Sequence, residues 1–236
     1  MKKNASILIA FILWANYLVA LAQAGSNKED SLSLGLKQIA DIESTPVWIK
    51  FKTSAKINPK TLFEDYKAAF GLSDFDTMIV GKSFTDDIGF THRNYQQFYK
   101  SIPIDGESVN VHTNKNGETY AATGRILKKI NVEISPKLSP QEAIDVALKF
   151  VNAKEYRWQN TFWENELKQN TSIIGTTYYP QPVLVIKEEQ AFSSGTGIFH
   201  LAYRMDIYTS EPLYAQRIYV DAHSGAIIEK YPLQSN

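Results

Sequence analysis

Between Thr77 and Leu127 apolar and polar residues alternate in short runs, separated by Asp86-Asp87-Ile88-Gly89, Ile104-Asp105-Gly106 and Asn114-Lys115-Asn116-Gly117. A period of two buries one face of an extended chain and leaves the other in water, so these runs are strands and the punctuation is their turns. Asn116-Gly117 is the firmest turn, because both residues tolerate the positive φ that a primed hairpin demands. An antiparallel sheet follows. Ahead of it, Val47 to Lys52 alternates toward its end as a strand does. Asn58-Pro59 before Leu62, Phe63, Tyr66 and Phe70 predicts a helix, with Asn58 as N-cap, Pro59 in the first turn and Gly71 at the left-handed exit.

The second half starts again with a helix signal. Ser139-Pro140-Gln141-Glu142 is a capping box, and Ala143, Ile144, Ala147, Leu148 and Val151 then share one face of an amphipathic helix. Strands are expected over 183–187, 199–208, 214–220 and 226–230, the last two joined by Asp221-Ala222-His223-Ser224-Gly225, with Asp221 and Gly225 as turn formers. Trp158, Phe162, Trp163, Tyr178 and Tyr179 lie between helix and sheet, either filling the edge of the core or forming an exposed docking patch. The expected fold class is α+β: two consecutive modules, 46–127 and 139–232, each an antiparallel sheet packed against one or more helices. Residues 128–138, with Pro136, form the expected linker, 25–45 a polar mobile leader and 233–236 a tail.

Lys2 and Lys3, an apolar run from Ile7 to Ala22 and the small residues around Ala24 predict a cleavable signal peptide over 1–24, cut after Ala24. The run falls short of the roughly 20 residues a spanning helix needs, so no stable membrane insertion is expected after cleavage. The localisation implied is secreted or periplasmic. The formal net charge of the whole chain is +0, which argues against nucleic acid as a partner. There is no cysteine, hence no disulfide, thiolate metal site or lipidated Cys, and core packing alone must hold the fold.

Signatures of catalysis fail one by one. A thermolysin-type zinc site needs His-Glu-x-x-His, and no histidine here precedes a glutamate. His92, His112, His200 and His223 stand at no metal-ligand spacing, and strand histidines are expected to be structural, although a site assembled in three dimensions stays open. Val80-Gly81-Lys82-Ser83 has Asp76 where a phosphate loop requires glycine, and Ser193 to Gly197, read as a loop between strands, lacks the order of a nucleophile elbow. Asp86-Asp87 and Glu188-Glu189 are read as solvated surface acids. No cofactor, metal or catalytic residue is expected.

One stretch carries more information. Phe90 to Gly124 holds His92, Tyr95, Gln97, Ile102, Pro103, Ile104, Gly106, Val111, His112, Asn116, Gly117 and Gly124 in an order that resembles the N-terminal propeptide of thermolysin-like metalloproteases. It departs at Lys100-Ser101, where that family usually has Asn-Gly. The hairpin around Asp221 and Gly225, preceded by Tyr203-Arg204-Met205-Asp206, resembles the PepSY domain that follows in such precursors. The likeness covers about Pro59 to Tyr231.

The resemblance implies a non-enzymatic protein whose partner is the catalytic domain of a thermolysin-like metalloprotease. It would inhibit that domain and assist its folding, in trans or as the remnant of a truncated precursor. An envelope-associated binding module and an enzyme with a spatially assembled site are the alternatives. The candidate motif or partner-binding residues are His92, Tyr95, Gln97, Ile102, Pro103, Gly106, His112, Asp221 and Gly225. His92, Tyr95 and Gln97 are read as sharing one face of a strand, Ile102, Pro103 and Gly106 as a turn.

Overall fold

The computed structural model describes residues 33–41, 43–45, 47–191 and 194–233. The expected signal peptide, residues 25–32 of the expected leader and most of the tail lie outside the described residues. The protein is a mixed α+β structure with a large sheet and few helices. It divides into two units. The N-terminal unit holds residues up to Ser73 together with Val80–Tyr95 and Ser108–Lys128, and the C-terminal unit holds Asp74–Ile79, Gln96–Glu107 and the chain from Lys129 onward.

In the N-terminal unit the chain begins with helix α1 (Leu34–Ile39), followed by β1 (Trp48–Lys50) and α2 (Leu62–Asp65). Three strands contribute to both units, β2 (Asp76–Thr85), β3 (Thr91–Tyr99) and β4 (Ile102–Thr113), and β5 (Thr119–Gly124) completes the first sheet. β5 lies antiparallel between β1 and β4, β3 pairs with β4, and β2 pairs with β3. Leu62, Phe63, Phe70, Tyr95, Val111 and Ala122 are all buried, with Phe63 at 5.0 Å from Phe70 and edge-on to Tyr95 at 5.0 Å. The Tyr95 hydroxyl donates to the Pro59 carbonyl at 2.6 Å, so the ring is fixed at both ends.

Two expectations for this region are corrected. Residues 33–41 are not a mobile leader. Ser33 Oγ caps α1 by accepting the Leu36 N–H at 3.1 Å, and Leu36, Ile39 and Ala40 are buried. The polar residues hide a short apolar stripe, too brief to stand out by periodicity. Helix α2 is also shorter than expected. Asn58 turns its side chain onto the Lys60 N–H (3.0 Å), an Asx turn that ends before the helix starts, so Thr61 occupies the N-cap instead. Phe70 still reaches the core, through turns that follow Asp65.

In the C-terminal unit, α3 (Pro140–Val151) carries the expected capping box, with Ser139 N donating to Glu142 Oε2 at 2.7 Å and Glu142 N to Ser139 Oγ at 3.3 Å. After β6 (Glu155–Tyr156) and α4 (Thr161–Asn170) come β7 (Val183–Ala191), β8 (Ser194–Glu211), β9 (Leu213–Asp221) and β10 (Ile227–Pro232), antiparallel in chain order. The first part of β4 runs parallel to β7, Ile104 opposite Ile186. Ala143, Ile144 and Ala147 of α3 pack on Leu201, Tyr203, Met205, Ile218 and Val220, alternate residues of β8 and β9. The aromatics between α3 and β7 divide between packed and exposed positions. Trp158 and Tyr179 pack on this core, Trp163 and Tyr178 surround the Arg157 guanidinium at 4.4 and 5.3 Å, and Phe162 is exposed.

Candidate functional site

The sheet of the N-terminal unit brings His92 and His112 together from β3 and β4. Their Nδ1 atoms stand 2.7 Å apart, His92 Nε2 is 3.1 Å from Asp86 Oδ2, and His112 Nε2 is 2.8 Å from Thr123 Oγ1 on β5. Asp86 fastens the β2–β3 turn with its other oxygen, which accepts the N–H groups of Ile88 (3.1 Å) and Phe90 (2.8 Å). One hydrogen-bonded chain therefore links the turn, β3, β4 and β5. The Phe84 ring of β2 lies against the His92 ring at 4.9 Å and 30°, while Tyr120 flanks His112 at 6.1 Å.

With both imidazoles neutral, every partner in this chain is satisfied in one tautomeric arrangement. Thr123 donates to His112 Nε2, His112 Nδ1–H donates to His92 Nδ1, and His92 Nε2–H donates to Asp86. The hydrogen bond from His92, followed by that from the Phe90 N–H, holds the Asp86 carboxyl below the usual range. Burial first, then the proximity of His92, pushes His112 below the ordinary histidine value. Among the described residues no three His, Asp or Glu side chains group as a metal site would need.

The remaining candidates of the strand region are distributed. Tyr95 and Gln97 are both buried, but they do not share a face with His92: an offset of three along a strand reverses the side, and the shared-face expectation is corrected on that ground. Gln97 Nε2 donates to Asp76 Oδ1 at 2.9 Å. Ile102, Pro103 and Gly106 do not form a turn. They lie within β4, where Ile102 packs on the α3 core and Gly106 has φ +91. The turn is Lys100-Ser101, just before them, with φ values of +47 and +67.

Residues 76–126 match the family described as Fungalysin/Thermolysin Propeptide Motif. The chain is 25% identical over 158 residues to Bacillolysin of Brevibacillus brevis, covering 65% of this chain and 26% of the relative. It is 25% identical over 154 residues to the thermostable neutral protease NprT of Geobacillus stearothermophilus, covering 65% and 25%. Matched stretches thus span about a quarter of the length of these relatives. Among solved structures, the Bacillus megaterium YpeB C-terminal domain aligns with a TM-score of 0.36 and 14% identity, over 84% of this chain and 76% of that one.

The propeptide motif begins with β2, and β2 is an edge strand: among the described strands it pairs with β3. In the N-terminal unit Val80 is 49% exposed, Phe84 62% and Ile88, in the turn beyond, 70%. An apolar edge of this kind presents unpaired backbone groups and side chains that the fold itself does not bury.

Outside the motif, Asp221 organises the β9–β10 turn. Its Oδ1 accepts His223 N (2.9 Å), Ser224 N (2.8 Å) and Ser224 Oγ (2.9 Å), its carbonyl accepts the Gly225 N–H (2.9 Å), and Oδ2 pairs with His200 Nδ1 at 2.8 Å. Burial works to raise the Asp221 carboxyl, but these donors, Ser224 N–H foremost, bring it below the usual value. Three residues escaped the sequence reading. Asp105, read as turn punctuation, sits in β4 and accepts hydrogen bonds from Arg204 and Tyr219, and burial, reinforced by Asp105, pushes the Tyr219 phenol far above its ordinary value. Glu188, read as solvated, is 3% exposed and accepts the Gly197 N–H at 2.9 Å. Asp86, also read as solvated, is the anchor of the histidine chain.

Proposed function

We propose that this chain is a propeptide-type partner of a thermolysin-like zinc metalloprotease, exported from the cell, which binds the catalytic domain, inhibits it and assists its folding, in trans or from within a precursor. The carrying observation is the match of residues 76–126 to the propeptide motif, on a sheet whose first strand is an exposed apolar edge. Sequence similarity to Bacillolysin and to the thermostable neutral protease NprT over 65% of the chain supports the same reading. The edge of β2 has what strand addition by a partner requires, namely main-chain donors and acceptors for affinity and alternate side chains for selectivity.

A partner that binds only the folded protease stabilises it by RT ln(1 + [L]/Kd). Faster folding needs complementarity to the folding transition state as well, by the differential-binding logic that governs catalysis. A stable complex would bury on the order of 1,600 Å² in total. The test is to refold a thermolysin-like catalytic domain with and without the chain, and to add the chain to the folded enzyme. Higher recovered peptidase activity in the first case and inhibition at micromolar concentration in the second are expected. No effect in either assay overturns the proposal.

A further inference from the structure

The histidine chain in the N-terminal unit has a capacity for protons that is limited by its own geometry. The neutral pair is fully hydrogen bonded. One added proton also fits: with His92 doubly protonated, its Nε2–H faces Asp86 and its Nδ1–H faces the His112 lone pair, while His112 turns its remaining proton to Thr123. A second added proton has no place. Both Nδ1 atoms would then carry hydrogen, and two N–H groups would face each other across 2.7 Å with like charges on the rings.

The surroundings offer little to offset that repulsion. The groups facing the pair are Asp86 from the β2–β3 turn, already engaged by His92, and Tyr120 and Thr123 from β5. Phe84 covers His92 from β2. Arg93, the next residue on β3, turns to Thr113 Oγ1 at 3.3 Å, and Asp87 is exposed. Burial, the larger cause, and then His92 disfavour the charged form of His112, in keeping with this geometry.

We propose that Asp86, His92, His112 and Thr123 form an acid-operated latch, intact with at most one added proton on the imidazole pair and opened by the second, which releases the Phe84-bearing edge of β2. The mechanical link is short. Asp86 ties the β2–β3 turn with one oxygen and His92 with the other, and the Phe84 ring rests on His92, so parting the imidazoles removes the support of both. Insofar as β2 docks a protease, a reading that rests on the proposed function, acidification weakens that complex; the latch itself does not depend on it.

The test is made on the whole chain, by 15N NMR of the histidine rings and by amide hydrogen exchange of residues 80–93 between pH 7.5 and 5. The pair titrates in two separate steps, the second below the ordinary value of about 6.5. Exchange of the hairpin, corrected for intrinsic rate and referred to β8 amides, rises roughly tenfold at the acid end. His112→Asn, whose amide oxygen can accept from His92 Nδ1 but cannot take the second proton, abolishes the rise. Independent titration of both rings with unchanged hairpin exchange overturns the latch, and that result is readable in the wild-type chain even where the variant fails to fold. If the hairpin opens while affinity for a thermolysin-like catalytic domain stays constant across the same pH range, the latch stands and docking through β2 is overturned.

Discussion

A Cβ built on Gly124 would come within 2.1 Å of the Ser108 carbonyl oxygen. The last residue of β5 crosses the neighbouring strand too closely for any side chain, at φ +121, and its N–H is spent on the Val47 carbonyl at 2.9 Å. Gly124→Ala therefore meets a backbone clash and an unfavourable dihedral together. We expect a loss of about 3 kcal/mol or more in urea unfolding. A loss below about 1 kcal/mol would mean that β4 and β5 separate at little cost.

The β3–β4 turn contains the opposite opportunity. Lys100 and Ser101 both have positive φ without being glycine, as a primed two-residue hairpin imposes. Lys100 is held over the Phe75 and Tyr99 rings at 5.0 and 5.2 Å, so Ser101 is the residue to change. Ser101→Gly should stabilise the chain by about 1 kcal/mol, seen as a higher urea midpoint at unchanged slope.

What could be read from sequence was what chemistry between near neighbours decides. The capping box at Ser139, the turn at Asp221 and the apolar face of α3 each involve partners within a few residues. The histidine pair was not legible. A two-residue loop at Lys100-Ser101 with an unbroken ladder would set His92 opposite Val109 and turn His112 to the other face of the sheet. Bringing His112 round requires an odd number of extra residues in β4, for which Gly106 at φ +91 is suited. A bulge of this kind has no periodic signal. Asp105 was missed for a related reason: Asp-Gly reads as a turn, and only the pairing of β4 with β7 reveals it as an acceptor inside a sheet.

Asp105 should matter more than its turn-like sequence suggests. Arg204 and Tyr219 both donate to it, and Tyr219 is fully buried, with the Tyr231 hydroxyl 2.8 Å away. Asp105→Ala leaves a guanidinium and a buried phenol without their acceptor. The expected cost is about 3 kcal/mol, against less for Asp105→Asn, which keeps one carbonyl oxygen in place. Equal stability of the two variants would show that the carbonyl oxygen kept by Asn contributes nothing to the cluster.

Asp221 predicts a specific acid sensitivity. Its folded carboxyl lies below the ordinary value of 3.8, so the unfolded chain takes up its proton first as pH falls. The stability it contributes is complete above the unfolded value and is lost as pH drops through 3.8 toward the folded one. Asp221→Asn should flatten the stability profile of the chain in that window while leaving it parallel to the wild type above pH 5. A wild-type-like acid slope in the variant would assign the effect to other carboxylates.

Val80 separates docking from folding. It is half exposed on β2, so Val80→Ser should change unfolding free energy by no more than about 0.5 kcal/mol. At the centre of a strand-addition interface the same substitution removes an apolar contact that becomes desolvated only in the complex. Truncations of that kind cost about 1 kcal/mol or more, a roughly fivefold or larger rise in the inhibition constant against a thermolysin-like catalytic domain. An unchanged inhibition constant with unchanged stability would move the docking surface away from β2 and leave its exposed side chains without a role in the complex.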